Sequence, residues 1–276
     1  MRISLCNEVV EELPFERQCA LAALFGYDGI EIAPFTLGEE PHLLPAAQRA
    51  VLRRAAANAG IAITSLHYLL RTPAGLSITA GDASVRARTL EAMRGLCALA
   101  ADLGAGVLVH GSPDQRRLEP GDEAAGRERG IESFAAVAAD AQAAGVVYCI
   151  EPLSRNQTPF INTVAEAAEI VRRIGSAAVK TMIDCSSAAL TENESVPDLI
   201  QRWLPSGLIG HIHFNDPNRR GPGDGDLDFA PVLAALRTSG YRHDAAVEPF
   251  IYEPDGPACA ARAIAYLRGL GEAPTP

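Results

Sequence analysis

Eight short apolar runs punctuate the chain, and longer alanine-rich stretches lie between them. The runs are Ile3–Cys6, Gly29–Ile32, Ala62–Leu66, Gly106–Val109, Val146–Ile150, Val179–Ile183, Leu208–Phe214 and Ala245–Val247. Each is almost continuously apolar, as parallel strands covered on both faces are. The stretches between read as helices, several followed by glycine: Ala46–Ala59, Ala87–Leu103, Ser133–Ala144 and Val164–Ile174. Glycine at that place takes the left-handed conformation that ends a helix. Thr163-Val164-Ala165-Glu166 supplies a capping box at the start of one of them. Eight strand–helix units predict a single (β/α)8 TIM barrel over residues 1–270. Residues 271–276 are small and proline-rich and are expected to form a disordered tail. A doubly wound open sheet would need a glycine-rich turn after the first strand. Asn7-Glu8-Val9-Val10 stands there instead.

Charge and cysteine usage narrow the functional classes. The net charge is −10, so a phosphate backbone is repelled and no nucleic-acid partner is expected. Arg116, Arg117, Arg127 and Arg129 alternate with Glu119, Asp122, Glu123 and Glu128 and read as a solvated mixed-charge segment. No apolar run approaches the ~20 residues of a membrane span, and the first residues turn polar too early for a signal peptide. A cytoplasmic protein without a membrane partner is expected. The six cysteines contain no C-x-x-C pair and read as reduced, buried thiols.

In a barrel of this type the chemistry sits at the C-terminal strand ends. The polar residues closing the runs are Asn7/Glu8, Glu31, His67, His110, Glu151, Asp184, His213 and Glu248. A carboxylate or imidazole at nearly every exit converges on one axis, which packing alone does not require. Glu151, Asp184, His213 and Glu248 offer three carboxylates and one imidazole, a donor set suited to Mn2+, Mg2+ or Co2+ rather than to a thiolate zinc site. His211 and His213 face one side of their strand, so one can bind metal while the other supports it or touches ligand.

These residues, together with Gly26-Tyr27-Asp28-Gly29-Ile30-Glu31, Glu151-Pro152-Leu153-Ser154-Arg155, Phe160-Ile161-Asn162-Thr163, Met182-Ile183-Asp184, Gly210-His211-Ile212-His213 and Asn218-Arg219-Arg220-Gly221-Pro222-Gly223, resemble the xylose isomerase-like barrel superfamily, the sugar phosphate isomerase/epimerase group. The resemblance covers roughly Ile3 to Leu267, and the ketose 3-epimerase branch fits best. It implies Glu151, Asp184, His213 and Glu248 as ligands of one divalent metal, with Mn2+ favoured. It also implies Glu151 and Glu248 as the acid and base, and Arg219 as a substrate contact. Arg155, Gln157, Ser187, His67, His110 and His211 complete the expected substrate-binding set. The implied reaction is proton abstraction next to a metal-bound carbonyl of a small sugar, ketose or polyhydroxy-keto acid, through an enediolate. A lyase that dehydrates or decarboxylates a keto-polyol at the same metal is the alternative. A homodimer or homotetramer is also implied. Two positions depart from the epimerase branch: Ser187 stands where it has histidine, and Gln157 where it has glutamate.

Three further segments carry expectations. Asp216–Phe229 follows the seventh run and reads as a substrate-covering loop, with Asp228 capping the next helix. Arg116–Gly130 reads as a second insertion that closes the site. Trp203 reads as packing, and His42 and His243 have no evident partner.

Overall fold

A computed structural model describes residues 1–272. The strands are β1 (Ile3–Cys6), β2 (Gly29–Ile32), β3 (Ala62–His67), β4 (Val107–His110), β5 (Val147–Ile150), β6 (Val179–Asp184), β7 (Ile209–Phe214) and β8 (Ala245–Val247). All neighbours pair in parallel in the order β1 to β8, and β8 pairs back on β1 through Ile3↔Ala245 to close the barrel. The helices are α1 (Phe15–Phe25), α2 (Ala46–Ala59), α3 (Ala83–Leu103), α4 (Glu123–Ala144), α5 (Val164–Ile174), α6 (Cys185–Thr191), α7 (Val196–Trp203), α8 (Phe229–Thr238) and α9 (Gly256–Glu272). Each predicted strand is present within a residue or so of its expected ends. No described helix is long and apolar enough to cross a membrane.

The local chemistry of the helix ends follows the sequence. Gly60, Gly104, Gly145 and Gly175 carry φ of 75, 81, 70 and 68°, all left-handed. Thr163 accepts from the Glu166 amide, while the Glu166 carboxylate accepts from the amide of Asn162. The apolar faces of the strands and helices merge into one core in which Leu5, Ile30, Leu66, Leu108, Ile150 and Phe214 are fully buried. Within the barrel, Val109, Cys149 and Met182 form a small inner layer. Gly210 leaves room for it, since a Cβ there would stand 2.7 Å from the Cys149 sulfur. An extra residue in β7 relative to β6, between the Thr181↔Ile209 and Ile183↔Ile212 pairs, makes a bulge beside that glycine.

Two expectations need correction. Arg116–Gly130 is not an insertion that closes the site, and none of its residues lines the cavity at the barrel rim. A 3₁₀ turn spans Asp114–Arg116, and α4 begins at Glu123, well before the predicted Ser133. Gly126 and Gly130 obscured that helix, because glycine lowers helix propensity. Both glycines are buried, and at Gly130 a Cβ would stand 2.6 Å from the Phe160 ring. Close packing therefore outweighs propensity here. The expected tail begins two residues too early, because α9 includes Gly271 and Glu272. Its remaining residues, 273–276, lie outside the described residues.

Candidate active site

The C-terminal rim of the barrel holds a cavity of about 560 Å3. Glu151 follows β5, Asp184 ends β6, His213 lies on β7 and Glu248 follows β8. One ligand atom from each of the four lies within 4.8 Å of all the others, and all four residues are buried. His213 Nδ1 stands 3.0 Å from Glu248, 3.7 Å from Glu151 and 3.8 Å from Asp184, yet it has no hydrogen-bond partner of acceptable geometry. Burial, and next the Glu151 carboxylate, push the Asp184 carboxyl up to about 6. Burial pushes Glu248 up to about 8 against the pull of His213. Three crowded carboxylates and an orphaned imidazole nitrogen fit a bound divalent cation. The described residues thus contain a candidate metal site.

The next layer aims these groups. Glu31, at the end of β2, is fully buried. Its carboxylate lies 2.8 Å from His213 Nε2 and 2.7 Å from His211 Nε2, and accepts from the Ser65 hydroxyl. Burial opposes its ionisation, but the two imidazoles prevail and hold Glu31 well below the usual carboxylate range. By holding Nε2, Glu31 leaves His213 Nδ1 for the carboxylate cluster, the arrangement common behind metal-ligating histidines. Asn215 donates to Asp184 at 2.6 Å and to Glu248 at 3.3 Å. The Ser187 amide donates to Asp184 at 2.6 Å, so Asp184 is also the N-cap of α6.

Other expected residues are placed unevenly. Gln157, Ser187 and Arg219 line the cavity, and Ser187 Oγ lies 3.4 Å from Gln157 Oε1. Arg155 is exposed and is not among the lining residues. His67, His110 and His211 are fully buried beneath the cavity rather than on its wall. His67 Nε2 lies 2.6 Å from Glu8 and 3.7 Å from Glu248. Burial disfavours its charge, but Glu8, together with Glu31 and Glu248, outweighs burial and raises it to about 9. His110 bonds Tyr148 through Nδ1 at 2.7 Å and meets the Phe134 ring edge-on. Burial, reinforced by Arg116, lowers it to about 3, so it is neutral.

Arg116 overturns its reading as a solvated residue. It is 0% exposed, and both terminal nitrogens donate to the main-chain carbonyl of Glu151 at 2.8 Å. Opposite it, Gly111 lies against the Glu151 side chain, and a Cβ at that position would overlap Glu151 Oε2. Sequence reasoning also missed Asn215, whose only signal is its position two residues beyond His213. All six cysteines are free and buried, and Asp228 caps α8 through the Ala230 amide at 2.9 Å.

Residues 19–270 match the family described as the xylose isomerase-like TIM barrel. The chain belongs to this family. Within it, a D-psicose 3-epimerase of Agrobacterium fabrum is 31% identical over 237 residues, 83% of this chain and 77% of that protein. An L-ribulose 3-epimerase of Mesorhizobium japonicum is 30% identical over 185 residues, 66% of this chain and 60% of that protein. A crystal structure of D-psicose 3-epimerase in the presence of D-fructose superposes with a TM-score of 0.84, covering 98% of this chain and 99% of that one at 24% identity. That likeness bears on the fold. A xylose isomerase-like barrel with a buried carboxylate–imidazole cluster at its rim is thus common ground between sequence and structure.

Proposed function

We propose that the chain is a divalent-metal-dependent epimerase or isomerase of a small ketose or polyhydroxy-keto acid. The observation that carries this is the buried Glu151–Asp184–His213–Glu248 set, open to a cavity of monosaccharide size or larger. Relatives that are sugar epimerases favour this reading over a lyase. A divalent ion held by these four residues would supply Lewis-acid polarisation of a substrate carbonyl and its neighbouring hydroxyl, and Mn2+ suits the donor set best.

The chain's own groups do the rest. Glu151 and Glu248 reach the cavity from β5 and β8 and so approach a substrate from different sides. One carboxylate takes the proton from the carbon beside the carbonyl, and the other returns a proton to the opposite face. Return to the same carbon gives epimerisation, and return to the neighbouring carbon gives aldose–ketose isomerisation. Arg116 and Gly111 fix Glu151, while Asn215 fixes Asp184 and Glu248. Arg219, Gln157 and Ser187 contact substrate hydroxyls, and His211 acts through Glu31 rather than on substrate. A dimer or tetramer is the proposed assembly, measurable by light scattering.

The test is melting temperature in EDTA and with Mn2+, Mg2+ or Co2+, for wild type and Asp184→Asn, followed by ketose incubation in D2O. Folded-state metal binding raises the wild-type melting temperature by mass action and leaves the variant unmoved. An epimerase yields products heavier only by deuterium, whereas a product lighter by water or CO2 marks a lyase. No metal response from either protein would remove the mechanism.

A further inference from the structure

The cavity is wider than its reaction half needs. The four candidate metal residues, Gln157, Ser187 and Arg219 all come from β5 to β8 or the segments that directly follow them, Ser187 from the first turn of α6. Across the barrel, the loops after β2 and β3 build a different wall from Phe35, Tyr68 and Arg71, all lining the same cavity. The Arg71 guanidinium lies 4.2 Å from the centre of the Phe35 ring and 5.6 Å from that of Tyr68. The two rings pack edge-to-face at 5.8 Å. Tyr68 holds φ of 51°, an uncommon conformation for a bulky residue, and such strain collects at binding sites. Two acids near Tyr68 are engaged elsewhere, and Glu11, which also lines the cavity, forms no ion pair with Arg71. Asp114 bonds Arg117 at 3.0 Å, and Glu8 bonds His67 at 2.6 Å. Arg71 enters no ion pair among the described residues. A guanidinium set 4.2 Å from one ring centre and without an ion pair of its own can offer its N–H groups to carboxylate or phosphate oxygens.

We infer that Arg71, backed by Phe35 and Tyr68, is a subsite for an anionic group, a carboxylate or a phosphate ester, carried by the substrate at the end remote from its reacting carbons. The inference rests on the epimerase reading only for where the reacting carbons lie. It makes the preferred substrate an acidic sugar derivative rather than a neutral ketose.

The experiment compares Mn2+-loaded wild type and Arg71→Gln, an exposed substitution, on three ketoses: a neutral one, its terminal phosphate ester and the corresponding terminal carboxylate. The quantity read is the ratio of kcat/KM on each anionic substrate to that on the neutral one. Loss of a charge-assisted pair predicts that the ratio falls about 10- to 100-fold in the variant. Which anion shows the fall tells phosphate from carboxylate. The wild-type ratio also declines as salt is raised. A fall of less than about threefold for both anions, no more than a surface ion pair gives, would overturn the subsite. If wild type turns over no ketose at all, the epimerase reading fails. Calorimetric titration with an aldose 6-phosphate then reads the subsite alone: weaker binding by Arg71→Gln than by wild type supports it, and equal binding overturns it.

Discussion

At the scale of single residues, the site depends on contacts that tolerate no added atom. Gly111→Ala would drive a methyl group into the Glu151 carboxylate. Displacing a reacting group by about 1 Å costs on the order of 100-fold in rate. The expected result is a kcat/KM reduced by about that factor, with an unchanged far-UV circular dichroism spectrum. Arg116→Met removes both donors to the Glu151 carbonyl. It should lower unfolding stability by about 1–3 kcal/mol, the penalty of an unsatisfied buried acceptor, as read by urea denaturation. These two residues also mark where the sequence stops being legible. Asp184 and His213 could be found because each ends or closes an apolar run, and a strand exit has one address in a barrel. Arg116 sits in a charged run that looks solvated from its neighbours. Its burial is decided by the fold of the loop after β4, which no local pattern encodes.

At the scale of elements, the junction of β6 and α6 does two tasks with one carboxylate. Asp184 caps α6 through the Ser187 amide and also faces the Glu151–His213–Glu248 cluster. Asparagine caps a helix about as well as aspartate, and it removes one of three crowded buried acids. In EDTA, Asp184→Asn should therefore melt no lower than wild type, even though it abolishes the metal response. A variant that melts well below wild type in EDTA would show that the charge itself holds the helix. Asp184→Ala, which loses the cap as well, should be less stable than Asp184→Asn by about 1 kcal/mol in chemical denaturation. The strands and the ends of α2 and α5 were readable because period and glycine punctuation agree there. The first turns of α4 were not, because Gly126 and Gly130 serve packing against Leu118 and Phe160 rather than helix formation.

For the whole molecule, buried titrations make metal-free stability depend on pH. His67 is raised from 6.5 to about 9 and Glu248 from 4.5 to about 8. In both cases the folded state binds protons more tightly than the unfolded chain, so stability falls as pH rises. The His67 contribution is fully present below pH 6.5 and is lost as pH passes through about 9. The Glu248 contribution runs in the same direction up to about pH 8. His110, lowered to about 3, adds nothing above pH 6.5, because it is neutral in both states. The melting temperature in EDTA should therefore decline between pH 6.5 and 9, and Glu248→Gln should reduce the slope. Saturating Mn2+ should flatten it, since the cation replaces the proton. Equal slopes with and without metal would contradict the cluster's role. The division of the rim has a consequence for descent as well. On the proposed reading, the residues that hold the metal and move protons stand on β5 to β8, and the Arg71 shelf stands on two loops across the barrel. Those loops can diverge or be exchanged without disturbing proton transfer. Homologous enzymes can thus acquire new diets by rewriting a few dozen atoms around Phe35 and Tyr68, while the reaction is inherited unchanged.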